Sequence, residues 1–351
     1  MIPRAIDAVA RAPGRRMLAG ATRALSGAAA VVAMMLSVVP AAAQPAELAS
    51  RCDVADVDSA VIEVCRLAVQ AVEMAQPRIG IAAAGGNPVP GTASTIGMRL
   101  GSTPRVSVAG RVTGVWVRLP PVRDVGGREG SGFILPSINL DGAVGVFQGF
   151  SPAPTVGGVG SVDVVASLGL IAAPGASGIS DGSTGTVSAG VRLGILRESF
   201  FFPGVSITGS YRRLGTVTVG DPGLDNGDGF YRLSGNSVLG VRAAAGKRIA
   251  TVGITAGVGY DSFRSNVRIG ARNPQAGQEP GGSISFSVNG VESTRFAAFG
   301  NVTWTLMILN LAGELGWQAG GERVPGDLPA GVRVEPGRRG LFGSLSARLT
   351  I

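Results

Sequence analysis

Several residue types are missing or scarce in this chain of 351 residues. It contains no histidine, which excludes catalysis by a Ser–His or His–Asp pair and any metal site that histidine would complete. Lys247 is the sole lysine, and it lies in a predicted tight turn with no patterned serine partner. We therefore expect no catalytic residues, no metal, no cofactor and no enzymatic activity.

Long hydrophobic runs are also scarce. Beyond the first forty or so residues, no segment approaches the roughly 18 consecutive uncharged apolar residues that a membrane-spanning helix needs. Glycine is abundant, at 56 residues, whereas Leu, Glu and Lys are few, and this composition disfavours helices in general. The net charge of +8 comes without a Lys/Arg run interleaved with aromatics, so we expect no nucleic-acid partner.

The first 43 residues have the features of an export signal. A basic front with five arginines precedes an apolar stretch from Gly27 to Val39, and the small residues 41–43 provide a cleavage motif. The sequence therefore predicts a signal peptide over 1–43. Translation from Met1 and translation from Met17 both fit this pattern.

Residues 44–77 follow a helical pattern. Apolar residues recur at helical spacing, acidic residues stand at the front of the run, and Pro77 is predicted to close it. This segment holds both cysteines, so we expect a Cys52–Cys65 disulfide in an oxidising periplasm. The helix is predicted either to rest in the periplasm or to sit inside a pore as a plug.

From residue 78 onward, short runs alternate apolar residues with small or polar ones, as a strand with one apolar and one hydrated face does. In the last run, for example, Leu345, Ala347 and Leu349 alternate with Ser346 and Arg348. Short turns and longer polar loops alternate between the runs. Twelve strands are predicted, at 78–86, 94–101, 105–118, 134–149, 160–173, 185–197, 203–216, 230–245, 250–263, 293–305, 308–319 and 341–351.

An even strand count, with short turns on one side and long loops on the other, resembles the bacterial outer-membrane β-barrel proteins. The resemblance covers residues 78–351 by pattern, although the chain ends in Ile351 where the family commonly has an aromatic residue. It implies an all-β fold: a closed up-and-down antiparallel transmembrane β-barrel of about 12 strands with a short N-terminal α-helix, located in the cell outer membrane. It also implies two partners, outer-membrane lipid and the barrel assembly machinery.

The resemblance further assigns residues to the two faces of the barrel. Aromatic residues near strand ends are expected to form the interfacial girdles: Trp116, Tyr211, Tyr231, Tyr260, Phe296, Trp304 and Trp317. A charge facing lipid at the midplane costs about 2–4 kcal/mol, so charged residues of the strands are expected to face the lumen. The predicted lumen-lining set is Arg99, Arg105, Arg111, Asp141, Asp163, Arg192, Arg212, Arg232, Arg242, Asp261, Arg295, Glu314 and Arg348.

Two functions fit such a lumen. Rings of arginine set pore selectivity, which predicts a narrow channel passing small polar or anionic solutes passively. Arg–carboxylate pairs filling the lumen predict instead a closed structural or adhesive surface barrel without transport activity. The sequence leaves both open, together with the identity of the solute.

Overall fold

The computed structural model describes residues 45–54, 57–97, 103–122, 132–153, 156–172, 179, 182–225, 227–273, 283–320 and 339–351. Two helices come first, α1 (Pro45–Ser50) and α2 (Ser59–Ala84). The strands follow as β1 (Val106–Arg118), β2 (Gly132–Phe147), β3 (Ser161–Ala172), β4 (Ser183–Leu196), β5 (Gly204–Leu214), β6 (Val217–Gly220), β7 (Gly229–Ile249), β8 (Val252–Arg272), β9 (Ser283–Leu306), β10 (Leu309–Gln318) and β11 (Gly340–Thr350).

Antiparallel pairing closes the strands into a ring. Each long strand pairs with its sequence neighbours, β5 pairs with β7, and β1 pairs with β11 to complete the circle. Strand β6 lies outside this ring, because it pairs only with the outer part of β7, from Val217 opposite Leu233 to Gly220 opposite Phe230. The all-β, closed up-and-down architecture is confirmed, but the barrel has ten strands rather than about 12.

The two missing strands are those predicted at 78–86 and 94–101. Helix α2 runs through Pro77 and continues to Ala84, so residues 78–84 are helical, and the described residues 94–97 belong to no strand. The stretch from Ile79 to Ala83 alternates as a strand would, but all five residues are buried on the helix inside the barrel. The pattern therefore does not distinguish a strand from a helix that is buried on all sides. The helix ends at Gly85, whose φ of 64° favours glycine and whose N–H donates to the carbonyl of Ile81.

The outward face of the barrel is apolar. Large hydrophobic side chains from nine of the ten ring strands are exposed there, among them Val112, Ile138, Leu168, Val191, Ile207, Val258, Val302, Leu315 and Leu345. Exposed arginines on this face, such as Arg118 and Arg213, lie at the outer ends of their strands. An apolar band on a closed barrel is the surface that hydrocarbon requires, since no backbone edge is left unpaired. Among the described residues, no helix is long and apolar enough to cross a membrane.

The connections distinguish the two ends of the barrel. Short turns, including Ala250–Thr251 and Met307–Ile308, lie at the end that also holds the start of β1 and the end of β11; we call this the inner end. The long connections β1–β2, β8–β9 and β10–β11 lie at the opposite, outer end. In outer-membrane barrels the short turns face the periplasm and the long loops face outward.

Helix α2 lies inside the barrel and fills the outer half of its lumen. It contacts seven strands of the ring: β1, β2, β3, β7, β8, β9 and β11. Its apolar residues, such as Val61, Leu67 and Val72, pack against inward-facing Leu135 and Ile269 in one buried core. Because of this position inside the ring, we call α2 the plug.

The beginning of the plug is fixed at the outer end. Asp58 caps α2 by accepting a hydrogen bond from the Ala60 N–H (3.0 Å), and it also accepts one from the Asn273 side chain just beyond β8. The predicted disulfide is confirmed: Cys52 and Cys65 are bonded, with both side chains buried. The chain thus approaches the barrel through α1 at the outer end and descends through the lumen.

Close packing between the plug and the wall yields a stability prediction. A Cβ added to Gly80 of α2 would lie 2.0 Å from Cε1 of the buried Phe263, whereas one added to Gly110 of β1 would meet nothing within 4 Å. We expect Gly80→Val to lower the free energy of unfolding by about 1–3 kcal/mol, because overpacking forces side chains from their preferred rotamers. Gly110→Val should leave it unchanged; urea unfolding in lipid vesicles measures both. Equal stability of the two variants would contradict the position of the plug.

Candidate functional site

The lumen beyond the end of α2 is crossed by the segment that follows the helix, residues Gly85–Gly97, which we call the strap. It has no regular secondary structure, and it runs from the end of the helix to the inner end of the barrel. Its approach to the wall is close: a Cβ on Gly145 of β2 would lie 1.8 Å from the carbonyl oxygen of Gly97. Irregular backbone inside a barrel must find hydrogen-bond partners in the wall, because its own chain supplies few.

Two buried carboxylates of the wall accept hydrogen bonds from the strap backbone. Glu314 of β10 accepts from the N–H groups of Gly86 and Asn87, both at 2.9 Å. Asp163 of β3 accepts from those of Ile96 (2.9 Å) and Gly97 (3.2 Å). Each carboxylate therefore holds two consecutive amides, one pair near each end of the strap. Hydrogen bonds to a charged acceptor are stronger than neutral ones.

Arginines of the wall donate to the strap carbonyls. Arg242 of β7 donates from Nε to the Gly86 oxygen (3.2 Å), and Arg111 of β1 donates from Nη1 to the Asn87 oxygen (3.0 Å). Arg192 of β4 donates from Nη2 to the oxygens of Thr92 (3.1 Å) and Ser94 (2.5 Å). The strap is thereby bonded to the wall through both its N–H and its C=O groups.

Two of these arginines also form buried ion pairs within the wall. Arg111 lies 3.0 Å from a carboxylate oxygen of Asp141, and Arg242 makes a bidentate pair with Asp261 at 2.7 and 2.8 Å. All four side chains are at most 5% exposed. Breaking a buried pair by removing one partner costs about 3–5 kcal/mol, so these pairs fix the guanidinium groups that hold the strap.

Polar residues of α2 connect the helix to the same wall. Glu73 pairs with Arg295 of β9, and the Gln76 amide nitrogen donates to the Ser265 hydroxyl at 2.9 Å. Arg78 donates to the Gln318 side chain at 3.0 Å. The sequence analysis missed Glu73, Gln76 and the strap. The available signal for the first two was the spacing of three residues between Gln70, Glu73 and Gln76, with apolar residues around them.

Nine of the thirteen predicted lumen residues are buried inside the barrel, beside the plug or the strap. These are Arg111, Asp141, Asp163, Arg192, Arg212, Arg242, Asp261, Arg295 and Glu314. Arg348 is also buried, nearer the inner end. Arg105 lies at the inner mouth, and Arg99 falls outside the described residues.

Arg232 and Tyr231 are placed on faces opposite to those assigned from the sequence. A bulge between Ser234 and Ser237 shifts the alternation of β7, so that Tyr231 is fully buried inside whereas Arg232 faces outward and donates to Thr218. Of the other residues predicted for the girdles, Trp116, Tyr211, Tyr260, Phe296 and Trp304 are exposed, and Trp317 is half-buried beside Phe296.

Several solved structures align with the chain, whereas no family model and no curated protein matches it. The translocator domain of the autotransporter NalP from Neisseria meningitidis aligns over 72% of this chain and 89% of its own, with 11% identity and a TM-score of 0.40. The outer-membrane protease OmpT from Escherichia coli aligns over 74% of this chain and 100% of its own (10% identity, TM-score 0.34). The COG4313 outer-membrane channel from Pseudomonas putida F1 aligns over 75% and 99% (9% identity, TM-score 0.30). These likenesses concern the fold alone.

The closed sheet, its apolar outward face and the sorting of its connections define the class of the protein. The chain has the fold that bacterial outer-membrane β-barrel proteins have. Within that class, it is a ten-stranded barrel whose lumen is filled by its own N-terminal helix and strap.

The carboxylate of Glu314 yields a test of the strap contacts. We expect Glu314→Gln to speed hydrogen exchange at Gly86 and Asn87 and to lower the free energy of unfolding by about 1–3 kcal/mol, because an amide oxygen replaces a charged acceptor of two N–H groups. Glu292→Gln is the matched control, since Glu292 forms a looser ion pair at 3.7 Å with the exposed Arg264. Unchanged exchange at both strap amides in Glu314→Gln would contradict this role.

Proposed function

We propose that the protein is a closed surface barrel that holds its N-terminal segment and its long loops at the outer face of the membrane. The observation that carries the proposal is the filled lumen, with α2 beginning at the outer end and the strap leading to the inner end. A barrel plugged in this way anchors whatever lies at its outer mouth. Here the anchored parts are α1, the Cys52–Cys65 disulfide and the long connections between strands at the outer end.

The contacts of the lumen arginines support this proposal over passive passage of solutes. In an open channel, Arg111, Arg192 and Arg242 would project into water. In this chain they donate to strap carbonyls, and two of them are also neutralised by aspartates. A permanently open channel would require the strap to move out of the lumen, and all these hydrogen bonds would then be lost together.

A gated channel for small polar or anionic solutes is the second candidate. The observation in its favour is a small void of about 30 Å³ beside the strap, bordered by Arg111, Arg212 and Arg242. The Nη1 atom of Arg212 is buried there without a hydrogen-bond partner. Displacement of the strap would expose these three cations to a common path.

The proposal includes no enzymatic activity. The chain has no histidine, and among the residues that the structure describes no three His, Cys, Asp or Glu residues come together as a metal site. The buried carboxylates Glu314 and Asp163 are engaged by backbone amides and offer no free acid–base pair. The proposed partners are outer-membrane lipid around the apolar band, and the barrel assembly machinery during insertion.

Conductance distinguishes a closed barrel from an open one. In planar bilayers, we expect the full chain to give no steady current, because the strap blocks the lumen. The double variant Asp163→Asn/Glu314→Gln should give frequent openings, since both ends of the strap lose their charged acceptors. The double variant Asp53→Asn/Glu292→Gln removes two carboxylates from exposed ion pairs and should stay silent. A steady current through the unmodified protein would sink the proposal in favour of a channel.

Labelling tests which end of the plug lies outside the cell. The sole lysine, Lys247, belongs to the inner end, whereas Arg51 is exposed at the outer end beyond α1. In intact cells, a membrane-impermeant amine reagent should modify Arg51→Lys at residue 51, with Lys247 modified only after permeabilisation. Peptide mass spectrometry assigns the modified site and separates it from the chain's terminal amine. Modification of Lys247 but not of residue 51 in intact cells would reverse the proposed orientation.

A further inference from the structure

A cavity of about 680 Å³ opens at the inner end of the barrel, below the strap. Its ceiling is the strap from Gly91 to Ile96, and its sides are the inner ends of β8, β9, β10 and β11 with the turn after β4. The strap and the plug occupy the lumen above it. The cavity is therefore a blind vestibule on the periplasmic side, and we call it the inner vestibule. Its volume lies within the range of about 300–1,000 Å³ found for small-molecule sites.

Positive charge dominates the wall of the inner vestibule. Five cationic side chains from separate parts of the chain line it, with Glu198 as the one carboxylate among its described lining residues: Arg105, Arg197, Lys247, Arg248 and Arg348. Glu198 is engaged by the backbone N–H of Arg248 at 2.5 Å. None of the five cations forms an ion pair with any other residue that the structure describes. This differs from the lumen above, where Arg111, Arg242 and Arg295 each have an acid.

Arg348 is the member of this group that most requires a partner. Its side chain is only 6% exposed, its Nε atom is buried without a hydrogen-bond partner, and its charged neighbours within electrostatic range are Arg192 and Arg248. Burying a cation beside two others is unfavourable unless an anion compensates it. The Thr303 hydroxyl, which also lines the vestibule, is likewise buried without a partner.

We propose that the inner vestibule binds a small anion bearing two or more carboxylate or phosphate groups, taken from the periplasm. Arg348 would meet one anionic group at the depth of the vestibule, while Arg105 and Lys247 would meet a second nearer the mouth. Hydroxyls of the wall, such as those of Thr255 and Thr303, supply hydrogen-bond donors for further oxygens. Guanidinium groups suit both carboxylate and phosphate because their paired N–H groups match two oxygens.

Calorimetric titration of the full chain in detergent, free of phosphate and sulfate, tests the site with pyrophosphate and citrate as probes. We expect saturable binding of at least one probe at one site per chain, and no binding of sucrose, which is uncharged. Arg105→Gln and Lys247→Gln should each raise Kd by about tenfold, which corresponds to one lost charged contact. Both side chains lie at the accessible mouth, so these variants test the site even if Arg348→Gln, in the last strand, fails to assemble.

Matched controls exclude attraction by net charge alone. Arg118→Gln and Arg264→Gln each remove one positive charge from exposed positions in the outer part of the barrel and should leave Kd unchanged. Binding of pyrophosphate alone would identify a phosphate site, and binding of citrate alone a carboxylate site; both outcomes uphold the proposal. Absence of saturable binding by both probes, or equal weakening by the outer controls, would overturn it.

Discussion

The hydrogen bonds between the strap backbone and charged side chains of the wall are the interaction on which the lumen depends. A stretch without helix or strand leaves its N–H and C=O groups unpaired, and inside a barrel each unpaired group carries a desolvation cost. The wall meets both needs separately: Glu314 and Asp163 accept from pairs of amides, while Arg111, Arg192 and Arg242 donate to carbonyls. The presence of these five charged residues in the lumen is therefore explained by their hydrogen bonds to the strap backbone.

The division of the lumen into an apolar and a polar half follows from the same requirement. Helix α2 satisfies its own backbone hydrogen bonds, so its outer part can pack against apolar residues such as Leu135 and Ile269. The strap lacks internal pairing and needs a polar wall. Gly85, where the helix stops, lies beside Arg111, which belongs to the polar half. The change from helix to irregular backbone thus coincides with the change from an apolar to a polar wall. The helix and the strap together block the lumen.

Strands β7, β8 and β9 extend well beyond their neighbours, and this extension shapes the outer end. Their added length, with β6 alongside, surrounds the first turns of α2 and includes the contact of Asn273 with Asp58. Bulges at Ser234/Ser237 and Ser265/Val267 reset the alternation where the extension begins. At the inner end, by contrast, five cations that have no ion pair among the described residues surround an open vestibule, so the two ends of one barrel present different chemistry to their two compartments.

The sequence by itself determined the strands of the ring and the disulfide. Alternation of period two located all ten ring strands, because a strand with lipid on one side and protein on the other must alternate, and two cysteines in an exported chain have one possible pairing. Only the tertiary structure decided that 78–84 are helical, that the strap fills the lumen and that Tyr231 turns inward. The apolar and small residues at 79–83 fit a strand or a buried helix equally. A bulge, as in β7, changes the face on which every residue beyond it lies. Some partners of the lumen charges lie more than two hundred residues away in the chain, such as Gly86 and Glu314 or Glu73 and Arg295, and no local pattern records those contacts.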